Sequence, residues 1–186
     1  MNLNATFNAF RAVYNHNLCI PRLRIANFNQ LPVPIHPSIK AVVVDKDNCI
    51  SLQDDDKVWP AYKEKWEELK KCYPDRVLIV SNSAGSSDDA GYEQARELEK
   101  NTGVAVLRHK LKKPGCRDEI MEYFLSRKIV EAPHEIAVVG DRLFTDVLMA
   151  NLMGAYGVWI QDGVKVSESA LCKFEKKLYN YWTREK

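Results

Sequence analysis

Short apolar runs, rich in β-branched residues, recur along the chain and mostly end in polar side chains. They occupy positions 42–44, 78–80, 104–107, 136–139 and 156–160. A continuous apolar run of this length is typical of a strand that is covered on both faces, as in parallel sheets. The pattern therefore predicts five buried parallel strands.

The intervals between these runs carry apolar residues at helical spacing. Four helices are predicted, at positions 59–71, 91–101, 117–127 and 146–153, the last capped by Thr145 and stopped by Gly154. Strands that alternate with helices imply right-handed crossovers and a sheet covered on both faces. We predict an α/β fold with one doubly wound, Rossmann-like parallel sheet.

The first 44 residues contain no aspartate or glutamate but include several arginines. Acid-poor, arginine-bearing N-termini are typical of mitochondrial targeting segments. Apolar residues in this part fall near one face of a predicted helix: Leu3, Phe7, Phe10, Val13 and Tyr14. Such a helix fits a targeting segment, an interfacial membrane helix, or a helix packed on the domain.

Prolines at positions 32, 34 and 37 disfavour helix, so residues 31–37 are predicted to form an extended linker. We therefore divide the chain into an N-terminal targeting or membrane-associating segment with its linker, 1–37, and a single domain, 38–186. No run approaches the roughly 20 apolar residues that span a bilayer. Any membrane contact is expected to be peripheral.

The C-terminal part mixes cations with aromatic and aliphatic residues. The residues concerned are Lys165, Lys173, Phe174, Lys176, Lys177, Leu178, Tyr179, Tyr181 and Trp182. Interfacial helices have this composition, but so does a helix that packs its aromatic residues on a sheet. The sequence leaves both interpretations open.

Composition adds few constraints. A chain of 186 residues can bury a core without disulfides or a structural metal. The five cysteines are scattered and lack metal-ligand spacing, which predicts reduced thiols, with Cys49 as a small buried residue. The net charge of +2 is too small to indicate nucleic acid as a partner.

Two aspartates one residue apart, Asp45 and Asp47, follow the first apolar run. In open α/β sheets ligands bind beyond the carboxyl ends of strands, and side chains at i and i+2 share a face of a strand. One carboxylate could attack an electrophile while the other transfers a proton. Because neighbouring anions repel, the pair is expected to bind a hard divalent cation such as Mg²⁺.

The later runs also deliver polar groups at their carboxyl ends. Ser81 and Asn82 follow the second run, the basic stretch 108–113 follows the third, and Asp141 and Asp146 follow the fourth. Parallel strands end at one edge of their sheet. These side chains are therefore predicted to meet the aspartate pair in one site.

Four segments in order, DKDNCI, VSNS, KKPG and GDRLFTD, resemble the motifs of the haloacid dehalogenase superfamily of aspartate-nucleophile phosphatases. The longer segments IHPSIKAVVVDKDNCI, LRHKLKKPG and GDRLFTDVLMANLMGAYGVWI resemble the fungal and plant mitochondrial phosphatidylglycerophosphate (PGP) phosphatases. The resemblance implies Mg²⁺-dependent hydrolysis of PGP to phosphatidylglycerol for cardiolipin synthesis. It also implies a peripheral location on the matrix side of the inner mitochondrial membrane.

The resemblance gives each motif residue a catalytic role. Asp45 would be the nucleophile and Asp47 the general acid and base. Ser81 would bind a phosphoryl oxygen, and Lys113 would neutralise phosphate charge. Lys113 is preferred over Lys112 because it lies directly before the proline of the motif.

The metal and substrate ligands follow from the same resemblance. Mg²⁺ would be held by the Asp45 carboxylate, the backbone carbonyl of Asp47, and Asp141, with Asp146 as a ligand or as a partner of a ligand. The predicted substrate-binding residues are Asn82, Arg108, His109 and Lys112. With Lys110, the basic residues at 108 and 109 could meet the second phosphate of the headgroup, or they could be solvated loop residues.

Only 36 positions separate Asp45 from Ser81, and only 28 separate Lys113 from Asp141. Each interval is filled by one crossover helix and a strand, so neither has room for an inserted cap domain. An uncapped site is expected to accept a large phosphoester, such as a lipid headgroup. The acidic run 54–56 is interpreted as a solvated turn, with a second metal site as the alternative.

Three functions remain compatible with the sequence. The first is a PGP phosphatase that contacts an anionic membrane surface. The second is a phosphatase of soluble phosphomonoesters or nucleic-acid ends, and the third is a non-enzymatic phospho-receiver module. The sequence does not determine the oligomeric state, and a homo-oligomer stays open.

Overall fold

The structure, a computed structural model, describes residues 15–167 and 169–184. Its centre is a six-stranded, entirely parallel sheet in the order β1-β6-β5-β2-β3-β4. The strands are β1 (Leu23–Ile25), β2 (Ala41–Val44), β3 (Val77–Ile79), β4 (Ala105–Val106), β5 (Ile136–Gly140) and β6 (Tyr156–Ile160). The predicted α/β class and parallel sheet are confirmed.

The helices are α1 (Lys63–Cys72), α2 (Glu93–Thr102), α3 (Arg117–Ser126), α4 (Leu148–Met153) and α5 (Ala170–Arg184). From β2 the chain proceeds outward through β3 and β4, then returns to β5 on the other side of β2. This reversal makes the gap beyond β2 and β5 the topological switch point, where doubly wound sheets bind ligands.

The apolar strands bury both faces, which is why they read as continuous apolar runs. In β2, Val42 and Val44 belong to one hydrophobic cluster and Val43 to the cluster on the other face. Trp66 of α1 lies in the first cluster and Phe124 of α3 in the second. The sheet is thus covered on both sides, and its ends are left for the site.

The N-terminal part differs from the sequence prediction. Residues 16–37 belong to the folded unit: β1 pairs with β6, and Phe28, Leu31 and Ile35 are buried. The predicted linker 31–37 is non-helical, but it packs on the core, so a boundary at residue 37 separates no structural units here. The predicted helix with Leu3, Phe7, Phe10, Val13 and Tyr14 lies outside the described residues.

The segment before α4 also differs. Leu143–Val147 form a single wide turn with five-residue hydrogen-bond spacing, so Thr145 lies inside the helical segment and does not cap it. The Thr145 hydroxyl instead donates to Asp146 Oδ2 at 3.2 Å. Gly154, with φ of +78°, ends α4 as predicted.

Helix α5 packs beside the wide turn and α4. Tyr179 contacts Trp159 with ring centroids 4.9 Å apart, and Trp182 stacks on His16 at 5.9 Å. Over the described ranges, no helix combines the length and apolarity that crossing a bilayer requires. The same ranges contain no separate cap, since each interval in which a cap was excluded holds one α-helix, one strand and a short 3-10 turn.

Candidate active site

The site forms where β2 and β5 end. The backbone N–H of Asp45 still donates to Val139 O at 2.9 Å, so Asp45 lies on the last rung of the sheet with its side chain almost fully buried. Asp141 follows β5 directly, and Asp146 lies in the wide turn after it. Adjacent parallel strands therefore bring together carboxylates that are almost 100 residues apart in sequence.

Lys113 joins two of these carboxylates. Its Nζ lies 2.5 Å from Asp45 Oδ1 and 2.7 Å from Asp146 Oδ1. Its backbone N–H donates to Asn82 Oδ1 at 2.7 Å, which ties the lysine loop to the loop after β3. The neighbouring Lys112 instead pairs with Asp88, so Lys113 is the lysine that reaches the site.

Oxygen atoms of Asp45, Asp141 and Asp146 all lie within 4.8 Å of one another. Asp141 Oδ2 accepts a hydrogen bond from Asn48 Nδ2 at 3.0 Å. Gly140 is needed here, because a Cβ at this position would lie 2.3 Å from Asp146 Cγ. Three carboxylates with the single ammonium of Lys113 leave a formal charge of −2, which fits a hard divalent cation with oxygen ligands.

The pKa values of the groups in the cluster reflect this excess of negative charge. Burial, followed by repulsion from Asp146 and Asp141 against the attraction of Lys113, raises the pKa of Asp45 well above its usual range. Burial and the charge of Asp146 raise the pKa of Asp141 to about 7. Burial alone would lower the pKa of Lys113, but Asp146 and Asp45 outweigh it and raise that pKa.

Asp47 points to the other side, toward β3. Its Oδ2 accepts hydrogen bonds from Ser83 Oγ at 3.0 Å and Ser81 Oγ at 3.4 Å, and the two hydroxyls lie 2.9 Å apart. The Asp47 side chain keeps a third of its surface exposed. Its carboxylate is therefore outside the acidic cluster, next to the predicted phosphate-binding hydroxyl.

Lys46, between the two aspartates, is buried. Its ammonium lies 2.8 Å from Asp47 Oδ1, 3.1 Å from the Asp55 carbonyl oxygen and 3.6 Å from Asp56 Oδ1. The acidic turn thus surrounds a lysine side chain. This contact was not foreseen from the sequence, which offered a solvated turn or a metal site.

A pocket of about 360 Å³ opens onto these groups. Its lining is polar except for one cysteine: Asp45, Asp47, Asn48, Gln53, Asn82, Lys113, Asp141, Arg142, Thr145, Ser167, Ser169 and Cys172. A larger cavity of about 630 Å³ lies at the opposite end of β3 and β4, lined by residues such as Tyr73 and Ala105. None of the predicted site residues lines it.

Three of the predicted substrate-binding residues, Arg108, His109 and Lys112, do not line this pocket. Arg108 forms a bidentate ion pair with Glu99. His109 is buried, with Nε2 2.8 Å from Ser81 O and Nδ1 2.8 Å from Leu111 O. Arg108 thus joins the loop after β4 to α2, and His109 joins that loop to the loop after β3. The expectation that they meet a headgroup phosphate is not supported by where they lie.

Arg142 and Glu175 were missed by the sequence analysis. Glu175 of α5 is buried, and its carboxylate contacts the Arg142 guanidinium at 3.2 Å and accepts from the Leu143 N–H at 3.0 Å. Burial raises the pKa of Glu175 against the opposing effect of Arg142. Because the pair joins residues 33 positions apart, no local motif reveals it.

The five cysteines are free, and Cys49 is buried as predicted. Burial and the nearby charge of Asp45 raise the pKa of the Cys49 thiol well above its usual range. Cys49 is thus a thiol rather than a thiolate nucleophile.

Comparison with known proteins identifies the family to which the chain is similar. Residues 3–165 match the family described as mitochondrial PGP phosphatase. The mitochondrial phosphatidylglycerophosphatase GEP4 of Saccharomyces cerevisiae is 60% identical over 97% of this chain and 98% of its own length. A probable mitochondrial phosphatidylglycerophosphatase of Schizosaccharomyces pombe is 32% identical over 91% of this chain and 87% of its own length.

A plant protein and one solved structure are also similar. The chloroplastic and mitochondrial phosphatidylglycerophosphate phosphatase 1 of Arabidopsis thaliana is 31% identical over 78% of this chain and 42% of its own length. A crystal structure of an uncharacterized protein from Listeria monocytogenes has a TM-score of 0.48 and 16% identity, covering 77% of this chain and 99% of that one.

Proposed function

The chain belongs to the mitochondrial PGP phosphatase family and is a phosphatidylglycerophosphatase, and from that premise we propose that it works through Mg²⁺ and an aspartyl phosphate. The observation that carries the mechanism is the buried cluster in which Lys113 touches both Asp45 and Asp146. The ammonium of Lys113 opposes the burial and repulsion that raise the pKa of Asp45, and it lies where it could also bind phosphate charge.

Mg²⁺ would be held by Asp45, Asp141 and Asp146, with the backbone carbonyl of Asp47 as a further ligand. Support comes from the hard oxygen donors and from the formal charge of −2 that Lys113 leaves uncompensated. When bound, the ion would offset negative charge on the phosphoryl group and on the nucleophile. A cation would also relieve the repulsion that raises the pKa of Asp45 and Asp141.

Asp45 is the proposed nucleophile. One of its oxygens forms a bond to phosphorus as the bond from phosphorus to the glycerol oxygen of the ester breaks. Asp47 donates a proton to that leaving oxygen, which gives phosphatidylglycerol. Asp47 then accepts a proton from water as the water oxygen attacks phosphorus, which releases phosphate and restores Asp45.

Ser81, Asn82 and Lys113 would bind the transferring phosphoryl group. Lys113 already contacts two carboxylates, so phosphate oxygens arriving there would share its ammonium. The Ser81 hydroxyl is within reach of Asp47 and could turn to a phosphoryl oxygen. Positioned charges and donors of this kind supply most catalysis of phosphoryl transfer.

We place the reaction in cardiolipin synthesis, on the matrix side of the inner mitochondrial membrane, with peripheral contact to anionic lipid. The mitochondrial location given in the names of the relatives supports the compartment. The proposed roles of residues 1–37 in targeting or membrane contact apply at most to the part before β1, since β1 and the residues after it are packed in the domain.

The test is phosphate release from PGP in mixed micelles, with and without Mg²⁺, beside a panel of soluble phosphomonoesters. We expect Mg²⁺-dependent turnover of PGP that Asp45→Asn abolishes. Asp54→Asn, which changes an exposed aspartate of the following loop, is the matched control and is expected to keep full activity.

Each result tests a different part of the proposal. Turnover confined to soluble esters would retain the chemistry and overturn the substrate. Normal turnover by Asp45→Asn would end the nucleophile assignment, and turnover in chelator would end the metal scheme. A stable phosphorylated protein without release of phosphate would favour a receiver module.

A further inference from the structure

Helix α5 has two unlike sides. One side faces the domain, where Cys172 and Glu175 are buried and Tyr179 packs on Trp159. The other side exposes three large apolar residues: Leu171 at 48%, Phe174 at 53% and Tyr181 at 62%. Monomeric proteins rarely place several large apolar side chains together in solvent without a function.

These three residues form one strip. At 3.6 residues per turn, Leu171, Phe174 and Tyr181 fall within an arc of about 80°. Lys177 and Arg184 follow within about the next 60° of helix surface, and both are exposed. An apolar strip is thus bordered by basic residues, the basic strip, over the C-terminal half of the helix.

The helix carries a single acidic residue, Glu175. Its carboxylate is buried against Arg142 and the Leu143 N–H, so it does not offset the basic strip. Lys176 pairs with Asp162 at the edge of the buried side. The exposed side of α5 is therefore apolar and cationic, which is the charge pattern that complements an anionic bilayer.

The strip begins at the mouth of the active-site pocket. Ser167, Ser169 and Cys172 line that pocket, and exposed Val166 and Leu171 are their neighbours in sequence. Since the pocket lining is polar apart from Cys172, it offers groups for a phosphorylated headgroup but no apolar cavity for acyl chains. A lipid substrate would have to keep its chains in a bilayer while its headgroup enters.

We propose that the exposed side of α5, through Leu171, Phe174 and Tyr181 with Lys177 and Arg184, docks on an anionic lipid surface and holds the pocket mouth against the headgroups. This inference rests on the proposed lipid substrate and names the surface that presents it. The apolar side chains enter the interface while the two cations meet lipid phosphates.

A second copy of this chain is the competing occupant, and charge disfavours it. A two-fold interface brings the same patch of both copies together. On α5 this would oppose basic strips with no exposed acidic residue on the helix to neutralise them. An anionic bilayer supplies the missing charge.

The experiment is sedimentation of the full chain with two kinds of vesicle. One is pure phosphatidylcholine, and in the other about one third of the lipid is phosphatidylglycerol. We expect binding only to the anionic vesicles. The double variant Phe174→Ser/Tyr181→Ser is expected to bind at least about tenfold more weakly, because each tenfold corresponds to 1.4 kcal/mol and a buried aromatic side chain contributes about that much. Leu125→Ser, an equally exposed apolar residue on α3, is the control and should bind normally.

The basic strip is tested separately. Lys177→Gln/Arg184→Gln is expected to lower binding to anionic vesicles several-fold and to reduce its sensitivity to salt. Lys100→Gln, an exposed lysine on α2, is the matched control. Thermal unfolding verifies that all variants are folded, as expected for changes at exposed positions.

The outcomes separate docking from substrate. If the Phe174→Ser/Tyr181→Ser variant binds vesicles as well as the parent chain, the docking surface is wrong. If it converts a dimer to a monomer with vesicle binding unchanged, the strip is a self-association surface. Hydrolysis of PGP in detergent micelles reports on the proposed function alone, and we expect the double variant to lose turnover on vesicles but not in micelles.

Discussion

Charges in the site differ in how they are compensated. Lys113 lies between Asp45 and Asp146, and Lys46 contacts Asp47, but the hydrogen-bond donor to the Asp141 side chain is the neutral amide of Asn48. Asp141 thus accepts from a neutral donor, whereas Asp45, Asp146 and Asp47 each contact a lysine. The protonation of Asp141 should be visible in the stability of the metal-free protein.

Metal-free protein should lose stability as pH rises through the range in which Asp141 ionises. Its pKa is about 7 when folded, because of burial and Asp146, against about 4 in an unfolded chain. The folded state binds more protons between these values, so the free energy of unfolding falls from about pH 4 to about pH 7. In chelator, Asp141→Asn should be more stable than the parent at pH 8, and this advantage should shrink toward pH 4.

Thermal unfolding across this pH range measures the effect. Saturating Mg²⁺ should reverse the order at pH 8, since the parent gains a ligand-bound state and the variant loses a ligand. Parallel pH profiles of parent and variant in chelator would show that Asp141 does not titrate as described.

Lys46 is predicted to position Asp47. Replacing the buried ammonium by methionine removes the ion pair at 2.8 Å, and Asp47 would lose one of the contacts that fix its carboxylate. We expect Lys46→Met to lower kcat roughly ten- to hundredfold with little change in KM, as for a displaced catalytic group. Lys57→Met, an exposed lysine of the same loop, should leave both constants unchanged.

Steady-state kinetics on PGP in micelles provide the measurement. An equal loss of activity in both lysine variants would point to a general effect of the loop. Unchanged kcat in Lys46→Met would mean that Ser81 and Ser83 alone fix Asp47.

The grouping of the aspartates, Ser81 and Lys113 at one edge of the sheet could be predicted from the sequence, because motif spacing and strand ends limit where carboxylates, hydroxyls and lysines can go. Their partners could not. Lys46 turns back to Asp55 and Asp56 because the loop after β2 curls over it, and Arg108 turns to Glu99 on α2. Such choices depend on the path of loops, which no local pattern describes.

At the scale of elements, Glu175 links α5 to the site. It pairs with Arg142, whose backbone N–H donates to Asp146 Oδ2 at 3.2 Å. The wide turn with Asp146 is thereby held between β5 and α5. Gly140 allows this turn to lie against the strand end, since any side chain there would meet the Asp146 carboxylate.

Glu175→Gln should destabilise the protein by roughly 1–3 kcal/mol, because it leaves a partly buried guanidinium without its counter-ion. Glu97→Gln, which changes an exposed pair with Lys100 on α2, should stay within about 0.5 kcal/mol. Urea unfolding gives both values. Equal stability of the two variants would show that α5 is held by apolar packing alone.

Element bounds were predictable where apolar spacing is strict. Strand β6 has the predicted bounds, and α3 ends one residue early. The wide turn at Leu143–Val147 was not predicted, because one extra residue in a turn hardly changes the apolar spacing that identifies a helix. The C-terminal helix had two open interpretations, and the structure supports packing for Tyr179 and Trp182 while leaving Phe174 exposed.

At the scale of the whole molecule, the sheet extends beyond the predicted strands. Strand β1 and the buried residues Cys19 and Phe28 come from the part assigned to a targeting segment and linker. The apolar pattern does not predict β1, because this strand is only three residues long and contains exposed Arg24. An edge strand of this kind lacks the continuous apolar run that revealed the central strands.

Deleting residues 1–30 is therefore expected to cost several kcal/mol and to lower the yield of soluble protein. The deletion removes β1 and the buried Phe28 ring, which lies 5.7 Å from Tyr62. Deleting residues 1–14 is the matched truncation and leaves all of these contacts in place. Urea unfolding of the two truncations compares them, and equal stability would make β1 dispensable.

The pairing of β1 with β6 also determines when, during synthesis, the sheet can be completed. Leu23 is opposite Val158, so among the described strands the first in sequence pairs with the last. Until about residue 160 has been synthesised, β1 has no strand to join and β5 has no partner on its outer side. Chains that stop short of this point expose an unpaired strand edge, and only chains that include β6 can complete the sheet through β1.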